Sequence, residues 1–262
     1  MVAKDIYQHF RPKEISFIDR IDNLAQRVED TYTYYVTEFL NPRQVKIVKS
    51  ILGQRGMTYY LSSDYYQTEY AKVILAPEYY SFDEADFEMT LIAIDYNAKF
   101  NQLTHAQIMG TLLNQLGIKR SVLGDILVQN GKAQLVVESS LVSYLMTSVQ
   151  KIGRASVSLK EVPFQELLTQ EQDYQTMDVL VSSMRLDKLI ATVLKLSRQE
   201  AVKLIVSDRV KVNYANVGRT AELLAIDDMV SVRGFGRFTI IQENGLTKNG
   251  KIKLTIEKLI HK

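Results

Sequence analysis

Between Met184 and Phe238 the chain gathers side chains that can hold a polyanion. Arg185, Lys188, Arg198, Lys203, Lys211, Arg233 and Arg237 carry positive charge, and Ser197 and Asn213 add small hydrogen-bonding groups. Guanidinium and ammonium groups neutralise phosphate oxygens, and a guanidinium can do so through two parallel hydrogen bonds. Arg198 follows Ser197 at a helix start, where unpaired backbone N–H groups attract anions. An arginine beside such a start suits a phosphate. Asp187 sits among the first of these cations, and it either pairs with one of them or caps the helix it opens.

Reaction chemistry is harder to place. Histidine occurs only as His9, His105 and His261, never in the His-Glu-x-x-His spacing of a zinc helix. His105, near a helix start, is expected to cap or pack. With 0 Cys there are no disulfides and no thiolate zinc sites. Gly234-Phe235-Gly236 lacks the Lys-Ser/Thr that completes a P-loop, so it reads as a strand bend. No Gly-x-Ser-x-Gly elbow is present. No catalytic residue, cofactor or metal ligand is expected.

Two helices must position the cations. Leu186, Leu189, Ile190, Val193 and Leu194 fall on one stripe, with Arg185, Lys188, Thr192 and Lys195 roughly opposite. Ser197 and Glu200 form a capping box for the second helix, in which Ala201, Val202, Leu204 and Ile205 face inward and Lys203 outward. Short strands follow at Val210–Asn213 and from Val230.

In order and spacing, Arg185-Leu186-Asp187-Lys188, Ser197-Arg198, Val210-Lys211-Val212-Asn213 and Val230-Ser231-Val232-Arg233-Gly234-Phe235-Gly236-Arg237-Phe238 resemble the RNA-binding module named after small-subunit ribosomal protein four, here the S-four module. The resemblance spans roughly residues 182–243. Asp208-Arg209 replaces the usual Gly before the first strand, and Asn213-Tyr214 the usual Asn-Gly turn. Pseudouridine synthases carry such modules and place a catalytic Asp in Arg-Leu-Asp. Here that tripeptide lies inside the module, and only about 75 residues follow it. RNA methyltransferases with this module need a Gly-rich nucleotide loop, which is absent.

The 262 residues suffice for two or three domains. The net charge of +2 conceals a division: residues 182–262 hold 15 Lys+Arg against 8 Asp+Glu, whereas residues 60–95 hold eight acids and one Lys. A basic domain on a nearly neutral chain suits a nucleic-acid partner. Charged residues from Lys4 onward precede any apolar run, and no stretch approaches the ~20 apolar residues of a membrane span, so a cytoplasmic protein without membrane insertion is expected.

The class expected is α+β. Ile15, Ile18, Ile21, Asp22, Ala25 and Val28 mark a first helix; Asn41-Pro42 opens a second, expected to end at Gly53. With a Tyr-rich connection they form a helical N-terminal subdomain, residues 1–71. The tyrosines, in acidic surroundings, are expected to pack rather than stack on bases. Residues 72–162 begin with a strand at Lys72–Ala76. From residue 88 they read strand, helix (Thr104–Leu116), strand, strand, helix, strand, with Asn130-Gly131 as hairpin turn: a ferredoxin-like order shared with RNA-recognition motifs. The stacking motif of that class is missing. The polar segment 163–181, with Gln170, Glu171, Gln172 and Asp173, reads as a linker, and 182–262 as the S-four module.

Phe39-Leu40-Asn41-Pro42-Arg43-Gln44, Gly117-Ile118-Lys119-Arg120 with Gly124-Asp125-Ile126, and Lys151-Ile152-Gly153-Arg154 extend the likeness to the whole chain, which resembles the bacterial YlmH family. Ala106-Gln107 departs from the charged pair more usual after His105. The resemblance implies a non-catalytic protein docking on ribosomal RNA and tRNA, on the large ribosomal subunit, in rescue of stalled translation. It also implies, as an alternative, a cell-division factor working through protein partners, with an RNA-modifying enzyme as a second alternative. Lys119 and Arg120 are expected to form a second, weaker RNA patch.

Overall fold

The computed structural model describes residue 10 and residues 12–129, 131–169 and 174–259. Lys4, His9, Asn130, Gln170, Glu171, Gln172, Asp173 and His261 lie outside them, so the readings placed there are not addressed. The chain divides into two units, residues 1–170 and 171–262.

In the first unit α1 (Ile15–Thr31) buries Ile18, Ile21, Ala25 and Val28 against α2 (Pro42–Arg55). The Asn41 side chain accepts from Gln44 N, and Gln44 answers with its own carboxamide. The helix passes Gly53 and stops at Gly56, whose φ of 64° closes it. Arg55 explains the extra turn, because its guanidinium bonds Asp22 and Glu29 of α1. The subdomain is not wholly helical. Strands β1 (Tyr35–Val36), β2 (Thr58–Leu61) and β3 (Val73–Ala76) form a sheet of order β1-β3-β2. The strand expected to open the central domain therefore belongs to the N-terminal one. β1 and β2, of two and four residues, are too short for alternation to announce them.

The central sheet holds β4 (Met89–Tyr96), β5 (Leu123–Gln129), β6 (Lys132–Glu138), β7 (Lys151–Ile152) and β8 (Ala155–Val162). Its order, β5-β6-β4-β8-β7, with every pairing antiparallel, is the ferredoxin-like arrangement plus one edge strand. Helices α3 (His105–Gly110) and α4 (Val142–Ser148) cover one face. Thr104, not His105, makes the α3 cap, and His105 stands exposed at the first helical position. The helix expected to reach Leu116 passes into a π-turn at Thr111–Gln115.

The other face, where RNA-recognition motifs stack bases, is largely covered. Leu91 and Val136 pack with Phe39, Tyr70, Phe164 and Leu167. Gln134 clamps the covering segment, donating to Glu166 O and accepting from Leu168 N, each at 2.8 Å. The part left open, on β8, presents Ser156, Ser158 and Lys160, with no aromatic ring. Gly124 lets Phe39 approach: a Cβ there would lie 2.8 Å from Phe39 Cε1 and 3.0 Å from Val136 Cβ. Gly124→Ala is expected to lower the unfolding free energy of this unit by about 1–3 kcal/mol, read from its urea midpoint.

Lys72 is 2 % exposed beneath this joint, 4.0 Å from Glu138. Burial pulls its ammonium below the ordinary lysine range, and Glu138 and Glu88 only partly restore it. A lysine depressed by folding costs stability at neutral pH, and that cost fades as pH rises towards its unfolded value near 10.4. Lys72→Met should raise the melting temperature at neutral pH, with an advantage that shrinks on approaching pH ~10.

The second unit begins earlier than the expected boundary. Tyr174–Val181 is a strand, β9, paired along its length with Ile252–Leu259. Met177, Val179 and Val181 alternate inward, a period of two within a polar run. The linker of 163–181 thus loses both ends: Phe164 and Leu167 pack onto the central sheet, and β9 joins the next one. After β9 come α5 (Leu186–Leu194), α6 (Arg198–Val206), β10 (Val210–Val212), β11 (Ala215–Asn216), β12 (Met229–Val232), β13 (Gly236–Leu246) and β14 (Ile252–Leu259). The sheet order is β11-β10-β12-β13-β14-β9, and both helices share its core.

Candidate nucleic-acid interface

Helices α5 and α6 meet at Asp187, which is 1 % exposed. Its carboxylate accepts from Arg185 Nε and Nη2, both at 3.0 Å, from Arg198 Nε at 2.9 Å, and from Lys188 N at 3.0 Å. Burial pushes this carboxyl up, but the Arg185 and Arg198 hydrogen bonds and charges outweigh that and hold it below the usual range. The sequence offered pairing or capping; Asp187 pairs with both guanidiniums and, from within the first turn, accepts from Lys188 N, while the N-cap position itself is Arg185, which has no side-chain cap. The other α5 donors are met by a brace, with Leu186 N on Glu222 O and Asp187 N on Thr220 O. With both oxygens engaged and no exposure, Asp187 has no open approach for a substrate base.

Arg185 is half-buried, and Arg198 is 59 % exposed. The phosphate site drawn from Arg198 and the α6 start is altered by this geometry. Nε turns to Asp187, and the Glu200 carboxylate occupies the helix start, accepting from Ser197 N at 2.8 Å while Ser197 Oγ accepts from Glu200 N. Lys188 reaches Ser182 Oγ at 2.9 Å. Lys203 is exposed on the last turn of α6.

The sheet separates the remaining cations from these. Val210, Val212, Val230, Val232 and Phe238 face the helices, so the residues between them face away. Lys211 lies opposite Ser231, and Ser231 opposite Arg237, which sets both cations on the helix-free face. Arg233 is exposed at the β12–β13 turn, its N–H donating to Arg209 O at 2.9 Å. The expected contacts therefore fall into groups on different faces.

Asn213 has another role. Its Nδ2 donates to Asp228 at 2.7 Å, and its Oδ1 accepts from Met229 N at 3.0 Å, so both ends of the amide serve the fold. Asn213 and Tyr214 have φ of 49° and 69°, the two positive values of a type I′ turn with Tyr where Gly is easier. Asp208 likewise takes φ 54° in place of the usual Gly. In the first unit, Arg120 lies 3.9 Å above the Tyr70 ring and donates to Leu123 O. Beside it, Asp125 accepts from Glu69 N at 2.6 Å and Tyr70 N at 2.9 Å. Burial raises the Asp125 carboxyl despite those donors. The Lys-Arg…Gly-Asp-Ile motif is thus a joint between subdomains, and of its two cations only Lys119 is exposed. The sequence marked Arg209 only as part of the Gly replacement and Phe235 only as part of a strand bend, and assigned neither a contact.

These features define the class: an α+β protein with one ferredoxin-like domain and one built as two helices on a sheet. Residues 83–166 match the family model described as "Putative RNA-binding domain in YlmH", and residues 13–80 the model "YlmH, N-terminal". The "Ribosome-associated protein quality control protein P2" of Bacillus subtilis (strain 168) is 34 % identical over 254 residues, covering 97 % of this chain and 98 % of that one. The solved structure "Cell division protein ylmH from Streptococcus pneumoniae" is 39 % identical, with a TM-score of 0.56 over 62 % of this chain and 99 % of that one. The chain belongs to the YlmH family. Among the described residues no helix is long and apolar enough to cross a membrane.

Proposed function

We propose that this chain is a non-catalytic RNA-binding protein of the ribosome, acting in quality control of stalled translation with ribosomal RNA and tRNA on the large subunit as targets. The observation that carries the reading is the second unit, where Lys203, Lys211 and Arg233 stand exposed around a core fixed by the Asp187 clamp. Its mechanism is phosphate neutralisation with recognition of RNA shape. The name of the Bacillus relative supports the ribosomal setting. The burial of Asp187 disfavours an RNA-modifying enzyme. Co-sedimentation of the intact chain with purified ribosomal subunits tests the reading. Binding to the large subunit that declines with salt is expected; absence of binding to either subunit at low salt would refute it.

A second reading, a cell-division factor with protein partners, has its own observation. Tyr34, Tyr65 and Tyr79 are exposed in the first unit, where Tyr34 donates to Asp86 and the neighbouring Tyr66 to Glu84. Most rings there pack on one another, as in Tyr60 with Phe82 at 4.4 Å. The name of the Streptococcus neighbour supports this reading. A division phenotype that survives loss of RNA binding would favour it.

A further inference from the structure

We propose that the hollow between α6 and the β12–β13 turn takes an unpaired nucleotide, its base against Phe235 and Val206 and its phosphate beside Arg209 and Lys203. The inference rests on the RNA-binding reading and adds a site that reads single-stranded character rather than backbone charge alone.

The hollow is a shallow, open depression of about 720 Å³, with Leu196, Val202 and Leu204 among its lining. Two of its apolar residues are placed where water would be cheaper for a polar side chain: Phe235 is 40 % exposed and Val206 66 %. Phe235 is also held firmly. Gly234 and Gly236, at φ 89° and 94°, fold the turn tightly, and Phe235 N donates to Val232 O at 2.9 Å. Arg209 braces the turn from β10's side, donating from Nη2 to Arg233 O at 3.0 Å. The φ of 89° at Gly234 favours glycine there, and a Cβ would also stand 3.2 Å from that nitrogen. An aromatic ring presented on a stiff turn loses little freedom when a base stacks on it.

Charge selects the occupant. Lys203 and Arg209 line the hollow, and Arg233 is next to it in the turn. The acid of the lining, Glu200, is engaged in the α6 capping box, which holds its carboxyl below the usual range. An apolar peptide would cover these cations and leave them without counter-charge, whereas a nucleotide supplies a face for Phe235 and a phosphate for the cations.

The probe is a short oligouridylate with a central 2-aminopurine and a terminal fluorescein, titrated with the full chain. Anisotropy reports binding, and 2-aminopurine emission reports stacking. The wild-type chain should bind and quench. Phe235→Leu, with unchanged thermal unfolding, should weaken binding about tenfold and lose the quench, while Phe235→Tyr keeps both. Val206→Asp, at an exposed position, should weaken binding without unfolding the chain. Equal affinity and quench in Phe235→Leu would overturn the proposal. So would failure of the wild-type chain to bind the oligouridylate while it still co-sediments with ribosomal subunits, an outcome that leaves the RNA-binding reading standing; loss of co-sedimentation as well would overturn both. Retained oligouridylate binding with lost co-sedimentation in Phe235→Leu would assign the hollow to a protein partner instead.

Discussion

Asp187→Ala is expected to lower the stability of the second unit by about 2–4 kcal/mol and to weaken RNA binding in the same variant. The stability figure follows from what remains when the carboxylate goes. Two guanidiniums lose their counter-charge, Lys188 N keeps only its bond to Arg185 O, and a cavity opens where α5 meets α6. The magnitude lies below that of fully buried pairs because Arg198 is largely solvated and Arg185 partly so. Asp187→Asn should cost less, since it keeps the volume and one acceptor. The pH dependence has a definite sign. A carboxyl held below its unfolded value by folding adds stability above that value and loses it as pH falls through the folded one. Wild type should therefore lose its advantage over Asp187→Asn in the acid range below about pH 4. Chemical unfolding followed at several pH values checks both statements; a variant as stable as wild type at neutral pH would mean the clamp is ornamental.

Lys203→Gln, Lys211→Gln and Arg233→Gln, combined, should leave unfolding nearly unchanged and reduce RNA affinity about a hundredfold at 0.1 M salt. Each neutralised phosphate contact contributes roughly 0.7–0.9 to the exponent of salt concentration, so three contribute about two decades at that salt. These residues are exposed and lie outside the apolar core, which separates binding from folding. Arg198 does not offer that separation, because its Nε is part of the Asp187 clamp. The combination also spans the groups that the sheet sets apart, Lys211 on the helix-free face and Lys203 on α6. If only part of the set contacts RNA, the loss will fall short and single variants will show which face docks.

Much of this was legible in the sequence, for identifiable reasons. The α5 stripe and the Ser197–Glu200 box announced two helices because each residue type satisfies a local rule at fixed spacing. The central order was readable from its strands and turns, down to the antiparallel sheet that closes in ferredoxin-like sequence. What escaped depends on distant partners. β9 declares itself only against β14, and β1 and β2 only against β3, whose strand was expected but not its place in the N-terminal sheet. Covering of the central sheet by Phe39 and Phe164 cannot be seen from either segment alone. The role of Arg120 as a stacked brace, rather than a free cation, likewise depends on Tyr70, far away in the chain. The division of the cations between faces was within reach: alternation along Val210-Lys211-Val212 already turns Lys211 away from the helices.

The central claim is that the second unit holds RNA by its phosphates. It is tested most directly by the salt dependence of large-subunit binding, measured for the intact chain and for the combined Lys203, Lys211 and Arg233 variant. The account predicts a linear fall of log K with log salt for wild type, and a slope shallower by roughly two to three for the variant. Identical slopes and affinities for the two proteins would contradict it.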